Sequence, residues 1–234
     1  MNYQGPEKEK IQSMFQEIAG TYDKANDYLS FGIHHLWRKK LVKYSEAQSG
    51  DAVLDCATGT GDLAIEFKKV VGKGLVVGTD FCEGMIEPAP AKAINKGLAI
   101  DFSIADVMDL PFDDGDFNIS SISFGIRNVA DPVKAISELA RVVKPGGRVM
   151  ILEFGQPSMP GFSHAYNFYS KNILPKLGGA ISGKKEAYQY LEKSSANFPC
   201  KEAFVNMARQ AYPFTKAEYT SLSGGIAYIY KFTK

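Results

Sequence analysis

The sequence predicts an α/β protein with a mostly parallel seven-stranded sheet, helices on both faces and an antiparallel hairpin at the C-terminal end. Three observations carry this. Short apolar runs alternate with helical patterns between Val53 and Phe154, the order that builds parallel strands joined by crossover helices. The first run leads into a glycine loop, VLDCATGTGDLA, from Val53 to Ala64. Two β-rich segments near Tyr219 and Tyr228 are split by Gly224 and Gly225, which is a hairpin signal.

The elements follow in order. Leu63 to Val71 reads as a helix, and Leu75 to Asp80 as a buried strand ending in an acid. Met85 to Asn95 reads as one helix whose first turns are made irregular by Pro88 and Pro90. Ile100 to Ile104 is a third strand, and Phe117 to Phe124 a fourth after the turn signal DDGD. Pro132, behind Asp131 as cap, opens a helix to Val143. KPGG ends it, and Arg148 to Phe154 is the fifth strand. One domain, 1–234, is expected, with a helical N-terminal lid (1–45) and a helical insertion (156–212) that caps a pocket. In the insertion Phe162, Tyr166, Tyr169 and Ile173 recur at helical spacing. That face reads as core packing residue by residue, and as a greasy channel when the insertion is taken whole.

The 234 residues are 45% hydrophobic and 23% charged, with a net charge of +1. This is the profile of a globular domain and gives no general argument for a nucleic-acid partner. The charge is uneven: from Phe162 onward there are ten Lys and Arg against four Glu. Such a basic third is ordinarily a solvated face; it also suits an anionic membrane surface, so the expected location is cytoplasmic with peripheral contact at the inner face of a membrane. The three cysteines, Cys56, Cys82 and Cys200, have neither metal-ligand spacing nor a disulfide framework. No metal is expected. The start is polar and unlike a secretory signal, and no apolar run is long enough to span a bilayer.

The loop holds the chemistry. Gly59, Gly61 and Ala64 satisfy G-x-G-x-x-G/A, a pattern compatible with a dinucleotide or with S-adenosylmethionine, and also with a plain strand-to-helix turn. Charge separates the two ligands. A pyrophosphate wants a helix end free of acids, whereas Asp55 precedes this loop and Asp62 lies in it. A cationic sulfonium and amino group suit those carboxylates, although Asp62 also fits an ordinary helix-start acid. Asp80, at the end of the second strand, is placed to accept hydrogen bonds from ribose hydroxyls in either class. Asp106, beside the backbone of Val107, is placed to read an adenine amino edge; a turn cap is its bland alternative.

With these residues in view, the chain resembles the Rossmann-like class I methyltransferases, and within them the ubiquinone/menaquinone-biosynthesis C-methyltransferases. Two stretches carry the resemblance: YDKANDYLSFGIHHLW (Tyr22 to Trp37) and SFGIRNVADPVKAISELARVVKPGGRVMILEF (Ser123 to Phe154). The shorter YLEKSSANFP is similar too. The resemblance implies S-adenosylmethionine as methyl donor, S-adenosylhomocysteine as product and a prenylated hydroquinone methylated on a ring carbon, demethylmenaquinol first among acceptors. It leaves room for a homodimer. Asp55, Gly59, Thr60, Gly61, Asp80, Asp106, Val107 and Ser123 would hold the cofactor. Arg127 and Asn128 would face the substrate oxygen, Tyr22 would hydrogen-bond the quinol, and His34 offers either a base or a packed imidazole. Arginine stays protonated, so Arg127 is expected to stabilise a phenolate or orient a water rather than to act as base. Departures from the pattern are Ala25 for Met, Gly155 for Ser, Pro88 and Pro90 in a helix, and Pro213 for Gly. Ala25 and Gly155 are expected to reshape the substrate pocket. That keeps other phenolic acceptors open, beside a binding protein without catalysis and a nicotinamide oxidoreductase.

Overall fold

The structure, a computed structural model, describes residue 3 and residues 5–157 and 161–234. Positions 1, 2 and 4 of the expected lid and 158–160 of the expected insertion lie outside the described residues.

Three helices precede the sheet: α1 (Lys8–Ile18), α2 (Tyr22–Ser30) and α3 (Ile33–Tyr44). The core alternates β1 (Val53–Cys56), α4 (Asp62–Val71), β2 (Val76–Asp80), α5 (Glu83–Ile86), α6 (Ala89–Ile94), β3 (Asp101–Ile104), β4 (Phe117–Ser123), α7 (Pro132–Arg141) and β5 (Val143–Phe154). Then come α8 (Phe162–Phe168), a π-helical turn (Tyr169–Ile173), α9 (Leu174–Ser182), α10 (Lys185–Asn197), α11 (Glu202–Ala211), β6 (Lys216–Leu222) and β7 (Ala227–Thr233). The strand order is β3-β2-β1-β4-β5-β7-β6. The first five pair in parallel, and β7 is antiparallel to both β5 and β6. The expected sheet and terminal hairpin are both present. The order reverses between β1 and β4, so a crevice opens there at the carboxyl ends of the strands.

Successive strand residues point to opposite faces, and the two cores follow that rule. Leu54, Ile151 and Tyr230 pack with Ile136 and Leu139 of α7 and Phe204 of α11 on one face. Val53, Met150 and Ile229 pack with Leu41 of α3 and Phe67 of α4 on the other. A third cluster joins Ile18, Ala25 and Leu29 to Ala187 and Tyr188, fastening the N-terminal helices to α10.

The structure corrects four expectations. Pro88 caps a new helix rather than deforming an old one, so Met85 to Asn95 is split between α5 and α6. Strand β5 begins at Val143, with KPGG inside it and a register shift against β4 between Phe117 and Ile119. The aromatic stripe divides: Tyr166 and Tyr169 face a cavity, whereas Phe162, at the first position of α8, and Ile173, at the end of the π turn, are exposed. Ala25 and Gly155 line no cavity wall; Ala25 lies in the third core cluster and Gly155 backs onto the ring of Tyr228.

A Cβ on Gly155 would lie 2.4 Å from Cε2 of the buried Tyr228 ring. Gly155→Ser is therefore expected to destabilise the fold by about 1–3 kcal/mol through overpacking. A thermal scan should show a midpoint several degrees lower; an unchanged midpoint would mean that Tyr228 yields freely.

Candidate active site

Two cavities meet above the crevice. The first is a narrow slot over the glycine loop, of mixed lining and richer in polar groups than the second. Asp55, Gly59, Thr60, Asp80, Asp106, Val107 and Ser123 all border it. Gly61 does not; its part is conformational. Its φ of 83° is left-handed, and a Cβ there would approach the Phe102 ring to 3.0 Å.

Each carboxylate of the slot is built into the loop differently. Asp80 accepts from the amides of Gly59 (2.9 Å) and Cys82 (2.9 Å), so the end of β2 clasps the glycine turn. Burial raises its carboxyl above the usual range, against the pull of those amides. Asp55 accepts from the hydroxyls of Thr58 (2.7 Å) and Ser121 (2.8 Å), and burial pushes it up to about 6. Asp106 accepts from the amide of Met108 at 2.9 Å and from Lys8 of α1 at 2.6 Å. Asp62 is corrected. It borders the slot and stands as an acid in the first turn of α4, the ordinary helix-start role, and its charge is answered within the protein by Lys92 at 2.6 Å and Arg38 at 4.0 Å. Asp106 is likewise paired, with Lys8, so the cationic-ligand argument rests on Asp55 and Asp80.

The second cavity, about 580 Å³, is chiefly apolar. Met14, Ile18, Leu29, Trp37, Phe154 and Leu174 are among its walls, with Tyr166, Tyr169 and Tyr190. Phe15, Tyr22, Arg38 and Phe124 border both cavities and mark where they join.

Arg127 lines the second cavity and is buried. Its Nη1 donates to Glu153 Oε1 (2.8 Å) and to the carbonyl of Phe124 (2.6 Å), and the guanidinium lies over the Phe154 ring. Its Nε has no partner. Asn128 borders the slot and accepts from the hydroxyl of Tyr190 at 3.1 Å. Burial pushes the Tyr166 and Tyr190 phenols up to about 12, so both stay protonated donors at neutral pH.

His34 takes the packed role. One ring nitrogen meets Asp27 at 2.9 Å and the other meets Nη1 of Arg38, so neither presents a lone pair to the cavity. Burial first, and then Arg38, hold its pKa below the ordinary value. Asp27, His34 and His35 form a small group of possible metal ligands. An arginine donor on Nδ1 would leave a metal-bound His34 without its ring proton, which opposes that reading.

Sequence reasoning missed Glu153, Lys92, Tyr190 and Phe124. Glu153 had a local signal, a single acid inside the apolar run VMILEF. The other three act through contacts that join distant segments.

A group with a cationic centre and hydroxyls fits the slot: Ser123 Oγ is buried there without a partner, and carboxylates line both ends. Fold and site together define a class I S-adenosylmethionine-dependent methyltransferase. A family model described as the ubiE/COQ5 methyltransferase family matches residues 3–234, and the chain belongs to that family. A protein of Bdellovibrio bacteriovorus named ubiquinone/menaquinone biosynthesis C-methyltransferase UbiE is 61% identical, covering 100% of this chain and 99% of its own. A protein of the same name from Roseobacter denitrificans is 41% identical over 95% of this chain and 90% of its own. Among solved structures, a Thermotoga maritima SAM-dependent methyltransferase, described as a possible histamine N-methyltransferase, shares the fold. Its TM-score is 0.68 at 18% identity, covering 96% of this chain and 99% of that one.

Two predictions follow from the buried acids. Asp55 titrates near 6, and only its ionised form attracts a cationic ligand. Affinity for S-adenosylmethionine is therefore expected to fall as pH drops through about 6, by up to about tenfold, in calorimetry. Asp55→Asn should flatten that profile; the same slope in the variant would assign the titration elsewhere. Glu153→Gln leaves the Arg127 guanidinium buried without its counter-ion, at an expected cost of about 3–5 kcal/mol. Urea denaturation should show it as a large fall in midpoint.

Proposed function

We propose that this chain methylates a ring carbon of a prenylated hydroquinone, with demethylmenaquinol as acceptor. The observation that carries this is the junction of the slot with the apolar cavity, whose wall holds two buried arginines: Arg38 at the junction and Arg127 deeper in the apolar wall. A ring with a long hydrocarbon tail matches such a cavity; a small polar acceptor would leave its apolar walls in contact with water.

Bound S-adenosylmethionine would supply an electrophilic methyl group, its sulfonium becoming a neutral thioether. The chain's residues do the rest. The glycine loop, clasped by Asp80, would hold the donor, with Asp106 and Val107 as the groups for its adenine and Ser123 as a free hydroxyl for its sugar and methionine portion. Tyr22 and Phe124 flank the junction and keep the acceptor ring in line with the methyl. A hydroquinone carbon becomes nucleophilic when its phenolic proton leaves. Arg127 stays protonated and stabilises the resulting oxyanion through a fixed positive charge, and the proton passes to a water. Asn128, oriented by Tyr190, holds the oxygen in place. Attack of that carbon on the methyl would form the new carbon–carbon bond as the methyl–sulfur bond breaks; the ring proton then passes to water and aromaticity returns. The N-terminal helices and helices α8 to α10 act as a lid that excludes bulk water from the junction.

Mass detection of product from a panel of demethylated naphthoquinols, benzoquinols and simple phenols tests the reading. Methylated naphthoquinol is expected. Turnover confined to the simple phenols, with the donor bound, would replace it. Arg127→Lys keeps the charge but not the guanidinium geometry. Its kcat is expected to drop by about 10²–10³ with the donor's Kd unchanged.

A further inference from the structure

The outside of the second cavity carries apolar side chains that nothing among the described residues covers. Phe31 is 86% exposed and Leu36 62%, yet both also line the cavity, so they form its rim. Helices α8 and α9 have two distinct faces. Tyr166, Tyr169 and Leu174 face the cavity, whereas Phe168, Ile173 and Leu177 face outward, exposed by 63%, 42% and 38%. The Tyr169 hydroxyl donates to the carbonyl of Leu29 at 2.8 Å, and α2 packs on α9, so the two apolar groups are neighbours at one opening. Lys171 and Lys176 are exposed within the same segment, next to Ile173 and Leu177 in the chain. From Phe162 to Lys185 the chain has four lysines and neither Asp nor Glu.

Single exposed apolar residues mean little. Large ones gathered around the mouth of an apolar cavity and interleaved with lysines match the requirements of one partner. The apolar groups enter the headgroup boundary and the lysines meet anionic lipid. No helix among the described residues is long and apolar enough to cross a membrane, so the contact is peripheral. Moving a prenyl tail through water costs about 0.8 kcal/mol per methylene. A rim in contact with the bilayer removes that passage.

We propose that Phe31, Leu36, Phe168 and Leu177, with Lys171 and Lys176, dock the mouth of the second cavity on an anionic lipid bilayer, from which the acceptor's tail enters directly. The proposal rests on the reading of the acceptor as prenylated.

Flotation of the full chain with phosphatidylcholine vesicles, with and without phosphatidylglycerol, tests it. The wild type is expected to float with the anionic vesicles and to release as salt rises. Lys171→Glu/Lys176→Glu and Phe168→Ser/Leu177→Ser should each bind at least about tenfold more weakly. Both should turn over a short-tailed acceptor in solution at the wild-type rate, and lose rate on a long-tailed acceptor in vesicles. Equal flotation of wild type and variants, or none, would overturn the docking face. So would a dimer in sedimentation velocity that either double variant dissociates, because a second copy would then be the occupant. Vesicle binding that responds to the variants, with no turnover of any demethylated quinol, would uphold the docking face and sink the acceptor reading.

Discussion

Buried negative charge at the carboxyl edge of the sheet governs the architecture of the site. β2, β1 and β5 each place one carboxylate there: Asp80, Asp55 and Glu153. A carboxylate taken out of water must be neutralised, hydrogen-bonded or paired. Each of the three is answered differently, and each answer shapes one part of the site. Asp80 takes backbone amides and thereby fixes the glycine turn. Asp55 takes hydroxyls from the β1 loop and from β4, tying together the two strands that flank the crevice. Glu153 takes a guanidinium and so holds Arg127 at the wall of the apolar cavity. The same charges that are costly to bury place the functional groups.

The N-terminal helices reach this edge through polar contacts rather than through core alone. Asp23 of α2 accepts from Thr60 of the loop at 2.7 Å, and Lys92 of α6 lies between Asp23 and Asp62. Lys8 of α1 meets Asp106 at the far end of the slot. These pairs are partly exposed and individually weak, but all of them fall on residues that also border the slot or adjoin it. The helices that roof the donor site are therefore registered by the donor site's own residues.

The parts legible in the sequence are those whose cause is local. Strand, acid, glycine turn and helix occupy consecutive residues, so β1 through α4 could be read directly. The acid at the end of β2 and the Asp131–Pro132 start of α7 were legible for the same reason, and the Asp131 side chain does accept from Lys134 at 3.0 Å. What was misread depends on contacts between distant segments. The charge of Asp62 looked available until Lys92, thirty positions on in the chain, arrived beside it. The Met-to-Ala and Ser-to-Gly departures looked like changes to a pocket wall, although Ala25 and Gly155 answer to neighbours in α10 and β7. The aromatic stripe was sound as a count but assumed one uniform, evenly covered helix, whereas Phe162 stands exposed at the start of α8 and the π turn interrupts the period before Ile173.

Phe124 shows how strongly the junction constrains the chain. Its φ is 57°, in the left-handed region that a bulky side chain avoids at a cost of about 1–2 kcal/mol. Glycine would remove the strain, and Gly125 lies beside it. Yet the ring is engaged on several sides: it packs 4.5 Å from Phe154 and 6.1 Å from Trp37, with Arg38 over it at 5.7 Å. Its carbonyl also accepts from Arg127. One strained residue thus separates slot from cavity, anchors the buried guanidinium through its backbone and closes the apolar wall through its ring. A glycine would leave water at the point where an in-line transfer needs it excluded, so the strain is retained where the two chambers meet.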